Sequence, residues 1–140
     1  MSRTMVPLAL LLMLSVSARA AAPSDLTAVA LDKCLNDPGN ASTGGQTDCE
    51  EAAAKAYDQR MNRAYDGLLK VLPAEARSRL QAAQRAWLAF RDVEAQARSA
   101  LYETRSGTMY VPMQAGAATN VVRDRTLELE ANLRIMRIDN

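Results

Sequence analysis

The chain has 140 residues, with 17 Lys and Arg against 16 Asp and Glu, two Cys and no His. Near-neutral charge excludes the clustered basic excess that nucleic-acid binding calls for. The absence of His removes both the neutral-pH imidazole base and any Ser-His or Cys-His nucleophile pair.

The N-terminal segment reads as an export signal, residues 1–20. Arg3 supplies a positive start, Met5 to Val16 form a short apolar run, and Ala18-Arg19-Ala20 fits small-x-small cleavage before Ala21. The run is too short to span a bilayer, so no membrane span is expected after cleavage. Losing Arg3 and Arg19 takes 17 cations to 15 against 16 acids, a net charge of −1. Residues 21–140 then suffice for a single domain with one modest core, periplasmic or secreted.

Two cysteines in an exported chain read as a disulfide. Cys34 and Cys49 flank a segment rich in Asn, Gly, Ser, Thr and Asp, and closing a loop of about 15 residues is worth roughly 3 kcal/mol. Leu26, Val29, Ala30 and Cys34 share one face of a short first helix. Asp37-Pro38-Gly39-Asn40 and Gly44-Gly45 mark an irregular loop. Thr47-Asp48-Cys49-Glu50 reads as a capping box. It would open a helix from about Asp48 to Leu72, with a stripe at Cys49, Ala53, Ala56, Tyr57, Met61, Ala64, Tyr65, Leu68, Leu69 and Leu72.

Pro73 suits a helix boundary and starts a third helix reaching about Arg105. Its seam is Leu80, Ala83, Trp87, Phe90 or Arg91, Glu94, Ala97 and Leu101. About 33 residues would span on the order of 50 Å, long enough to leave room for a bend or break. Ser106-Gly107-Thr108 ends it, and Met109 to Met113 reads as a short apolar loop. Val121, Val122, Arg125, Leu129, Leu133 and Met136 mark a final amphipathic helix. No window alternates with period two, so the expected class is all-α: a long antiparallel helical hairpin, a short disulfide-tethered N-terminal helix and a C-terminal helix.

The motif Leu80 with Ala83-Gln84-Arg85-Ala86-Trp87 and Phe90-Arg91-Asp92, preceded by Met61-Asn62-Arg63-Ala64-Tyr65 and Leu68-Leu69, resembles the LprI-type lysozyme inhibitor family. Cys34, Thr47 and Cys49 before the long helix, the Gly107-Thr108-Met109-Tyr110 turn and Arg125-Thr126 fit the same pattern. The resemblance runs from about Cys34 to Leu133. It implies a secreted helical domain that binds lysozyme or another envelope protein. Members often carry a second cysteine pair, and Ala95 and Ala117 stand at the matching positions here. The resemblance therefore implies a C-terminal hairpin held by packing alone.

The chemistry of the residues supports binding rather than catalysis. Glu50-Glu51 and Glu128 with Glu130 are one or two residues apart on helices, so neither pair faces across a substrate. No metal-ligand spacing and no phosphate loop occurs, and no cofactor is expected. Asn62, Tyr65, Gln84, Trp87, Arg91 and Asp92 read as a structural lock. Trp87 and Phe90 would fill the core, Arg91 would meet Asp58, Asp66 or another acid on the facing helix, and Asn62 and Tyr65 would contact Gln84 and Trp87. The competing reading makes Trp87 and Arg91 exposed anchors for a partner. Met109, Tyr110 and Met113 are the candidate contact surface, as a loop on a rigid scaffold, while the preferred reading of this segment is an apolar plug over the hairpin. The functional expectation is a non-enzymatic helical binding protein that blocks a muramidase cleft. The alternative is a structural, interaction or stress module of the cell envelope.

Overall fold

The computed structural model describes residues 24–138, so the signal-peptide reading lies outside the described residues. Four helices are present: α1 (Leu26–Leu35), α2 (Thr43–Val71), α3 (Ala74–Glu103) and α4 (Tyr110–Ile135), with a 3-10 turn at Pro38–Asn40. Among the described residues there is no strand, and the all-α expectation holds. The Cys34–Cys49 disulfide is formed, with the two Cα atoms 5.8 Å apart.

Each helix start has a local cause. Asp25 caps α1 by accepting from the Thr27 and Ala28 amides. Ser42, not Thr47, caps α2, its Oγ accepting from the Gly45 amide at 3.0 Å. Thr47 instead sits inside the helix and donates to the Thr43 carbonyl. The expected capping box is therefore not used, and Gly44-Gly45 belong to the first turn rather than to a loop. Gly45 is needed there because a Cβ would lie 2.8 Å from the Asn40 Cα of the 3-10 turn. Leu72 is extended, as a residue before proline is constrained to be, and Pro73 then caps α3. Gly107, at φ +118°, turns the chain between α3 and α4 in a backbone conformation that suits glycine.

The α2–Pro73–α3 hairpin is present, but the closest helix pairing is between α2 and α4. These two run parallel. Thr119 Oγ1 donates to the Glu50 carbonyl and Thr126 Oγ1 to the Tyr57 carbonyl, each at 3.0 Å. Both bonds join residues 69 apart in sequence, so a seven-residue step along α4 matches one along α2. Small residues allow the approach. Ala53 and Ala64 are buried on α2, and a Cβ at Gly67 would lie 2.8 Å from Leu133 Cδ2. The core gathers Met61, Ala64, Leu68 and Leu129, with Tyr65, Leu72, Leu80, Trp87 and Leu133 packed partly against it.

The α3 helix lies further out, and Gln84 is its one buried residue. Phe90 is 55% exposed rather than part of the core. It belongs instead to an apolar band with Val93 and Leu101 on the outer part of α3. The final helix also begins earlier than its pattern suggests. Met109 caps it and Tyr110 opens it, so the expected apolar loop is its first turn. Pro112 is compatible with this because the amides of a first turn have no intrahelical partner to lose.

Candidate functional site

The residues of the family motif do not form one interlocked cluster. Gln84 is buried and donates to Met61 Sδ at 3.7 Å, while its Oε1 accepts from Arg125 Nε at 3.0 Å. Its polar tie is therefore to α4, not to Asn62 or Tyr65. Asn62 is exposed and donates to Asp58 on its own helix. Tyr65 is half-buried against the core. Arg91 does not reach Asp58 or Asp66. It pairs with the adjacent Asp92, and its guanidinium lies 5.6 Å from the Trp87 ring centroid. Trp87 is half-buried, its ring against the core and under that cation. An open cleft of about 340 Å³ between α2 and α3 is lined by Asp58, Asn62, Tyr65, Gln81, Gln84 and Leu88, among others.

A larger concavity lies at the other end of α3, where it turns into α4. It measures about 650 Å³ and is lined mostly by apolar side chains, including Leu35, Tyr102, Met109, Pro112 and Met113, with Glu50 and Asn120 as polar members. Met109 and Met113 both line this concavity. Tyr110 takes a different position, tilted against Tyr102 with ring centroids 6.3 Å apart. Glu50 projects toward the groove over Gly116, where a Cβ would sit 3.1 Å from Glu50 Oε1. A methyl group there would displace the carboxylate. Met109, Val111 and Met113 are exposed, so these residues do not form a plug over the hairpin.

Leu35 and Glu50 were not among the expected contact residues. No local signal ties them to Met113. The disulfide that returns α1 to α2 and the parallel pairing of α2 with α4 bring them together.

The groups with shifted titration lie elsewhere. Tyr57 is 1% exposed and donates to Asp25 Oδ2 at 2.7 Å. Burial and that hydrogen bond raise the Tyr57 hydroxyl to about 12. Burial alone would raise the Asp25 carboxyl, yet hydrogen bonds from Tyr57, Arg60 and the Ala28 amide hold it below its ordinary value. Arg60 bridges this cluster to α4, donating to Asp25, Thr27 and both carboxylate oxygens of Glu130. Its titration is pushed upward, chiefly by the hydrogen bonds with Glu130. This constellation ties α1, α2 and α4 together; its charges are engaged with one another.

The groove offers a single carboxylate, Glu50, beside apolar and amide groups. Such a mostly apolar surface suits binding, and the other titratable side chain lining it is Tyr102. Among the described residues no group of three or more His, Cys, Asp or Glu is placed to hold a metal ion. No helix among them is long and apolar enough to cross a membrane.

Comparison with known proteins fits this picture. No curated protein matches the chain. A crystal structure of a protein from Burkholderia thailandensis is similar, with a TM-score of 0.77 and 36% identity, covering 82% of this chain and 57% of that one. The chain thus spans a little over half the length of that protein. The model of the family described as lysozyme inhibitor LprI matches residues 34–129. That span takes in the disulfide, the motif on α3 and the docked half of α4, and the protein belongs to the LprI lysozyme inhibitor family.

Proposed function

We propose that this protein is an exported, non-enzymatic inhibitor of a lysozyme-type muramidase that acts by covering the sugar-binding cleft. Membership of the family, over residues 34–129, is the observation that carries this reading. The contact surface is the groove at the α3–α4 corner, with Met109 and Met113 as apolar anchors and Tyr102 and Tyr110 behind them. Exposed Phe90, Val93 and Leu101 extend the apolar area along α3.

Charge suits the same role. Residues 31–51 and 101–122 carry Asp32, Asp37, Asp48, Glu50, Glu51 and Glu103 against Lys33 and Arg105, six acids to two cations and a net −4. Such a rim favours encounter with a basic enzyme surface.

The test is lysis of cell walls by a muramidase, followed by turbidity, with and without the chain from Ala21 onward. Inhibition that saturates near equimolar protein is expected, and full lysis at a large molar excess refutes the proposal. Met109→Ala with Met113→Ala should weaken inhibition at least tenfold, the loss of about 1.4 kcal/mol. The melting temperature should stay unchanged, because both side chains are at least half exposed. A lowered melting temperature with intact inhibition would move the contact surface elsewhere.

A further inference from the structure

The opposite end of the bundle, where α2 and α4 finish and α3 begins, has a different character. By sequence, residues 63–79 and 131–140, with the Arg79–Glu75 ion pair set aside, carry Arg63, Lys70, Arg77, Arg134 and Arg137 against Asp66 and Asp139, a net +3. All five cations are exposed. Arg63 and Arg137 line one crevice between α2 and α4 with Leu133 and the Arg60–Glu130 ion pair, whose charges offset each other. Arg137 Nη2 lies 3.6 Å from the point a Cβ on Gly67 would occupy. Arg77 donates to the Leu72 carbonyl at the hairpin turn. These contacts gather the charges on one end of the molecule.

Apolar side chains stand among them. Ile138 is 75% exposed, Ile135 54% and Val71 38%. The helix dipoles do not account for the combination. Two helix C-termini and one N-terminus amount to roughly half a negative charge in total, far below five cations, and they ask for no apolar groups.

Interleaved cations and exposed aliphatic side chains are the pattern of a segment that lies on an anionic bilayer. The cations meet the headgroups while the aliphatic groups enter the acyl boundary. A soluble polyanion would use the cations and leave Ile135 and Ile138 without a role. We propose that this end of the protein docks peripherally on an anionic lipid surface. The acidic end is repelled by the same lipids, so the α3–α4 groove points away from the bilayer. The proposal is independent of what that groove binds.

Flotation with lipid vesicles tests it, using the chain from Ala21 onward, which retains every described residue. Binding is expected to vesicles of phosphatidylglycerol in phosphatidylcholine, and to fall with salt and vanish on phosphatidylcholine alone. Arg134→Gln with Arg137→Gln should lower partitioning about thirtyfold, and Arg63→Gln with Lys70→Gln on α2 by a similar factor of about thirty. Having both pairs guards against a local loss of structure at the end of α4. Ile135→Ser with Ile138→Ser should lower it about tenfold or more while retention on a heparin column is unchanged.

Equal partitioning to neutral vesicles, or none to anionic ones, overturns the proposal. So does full vesicle binding by the double-serine variant, which would leave the aliphatic side chains without a role and reduce the attraction to one of charge alone.

Discussion

Arg60 is the residue whose loss should be felt in three helices at once. Its side chain is 18% exposed and its partners Asp25 and Glu130 are 21% and 25% exposed. Exposed ion pairs contribute about 0–1 kcal/mol, whereas removing one partner of a fully buried pair costs about 3–5 kcal/mol. Most of each side chain is covered, and two carboxylates and the Thr27 hydroxyl lose a donor together. Arg60→Ala should therefore cost about 2–4 kcal/mol, a large share of a total near 5–15 kcal/mol.

Asp25→Asn separates the charge from the cap, because Asn caps a helix about as well as Asp. Urea unfolding of both variants and their double mutant gives the coupling. More than about 1 kcal/mol is expected at neutral pH, and additivity within about 0.5 kcal/mol would refute the account. The sign with pH is fixed. The folded Asp25 carboxyl lies below its unfolded value near 3.9, so its contribution is present above about pH 4 and is lost as pH falls through the folded value. The wild-type advantage over Asp25→Asn should shrink on acidification; a constant gap would refute the assignment.

Two further outcomes follow from close approaches and from the disulfide. Gly45→Ala pushes a methyl group into the Asn40 backbone, which cannot rotate away, and should lose about 1–3 kcal/mol in thermal melting. Gly67→Ala clashes with the flexible end of the Leu133 side chain, with Arg137 Nη2 at ordinary contact distance. Its clash is offset by helix propensity of about 1 kcal/mol, so equal losses at the two glycines would contradict the packing described. Reducing Cys34–Cys49 should lower stability by roughly 3 kcal/mol. It should also expose residues 26–42 to protease first, since α1 has no fully buried residue; first cleavage in α3 would contradict this.

Periodicity made the helices legible, because the stripe from Cys49 to Leu68 is buried as spaced. The turn at Leu72–Pro73 was equally plain. Pairing was not. The apolar seam of α3, rich in large side chains, suggested a tight hairpin, while the residues that pack closest are Gly, Ala and Thr, whose signal in a sequence is weak. Thr119 and Thr126 look like surface residues of a polar helix. Only in the folded molecule do their hydroxyls meet the carbonyls of Glu50 and Tyr57. Phe90 follows the same logic in reverse: it lies one turn from Trp87, but α3 stands off from α2 and leaves that face open. The early start of α4 was hidden by Pro112, which reads as a breaker in sequence and is compatible with a first turn. The groove was half visible, as Met109 and Met113, because its other wall comes from α1 and α2.

Parallel packing of α2 and α4 sharpens the meaning of the two charged ends. Their dipoles add, which favours cations at the shared C-terminal end; Lys70 and Arg134 in the last turns meet that need. If the acidic end were only the matching response, carboxylates would stand in the first turns of α2 and α4. Neither first turn holds one. Asp48, Glu50 and Glu51 come a turn or more later, beyond the reach of a dipole that fades within the first turn. Asp48, Glu50 and Glu51 are thus not used in capping their own helix, whereas Asp32, Asp37 and Glu103 are engaged locally with Asn36, the Gly39 amide and Ser99. Under the proposed function, the three carboxylates of α2 are the ones that meet a basic protein surface.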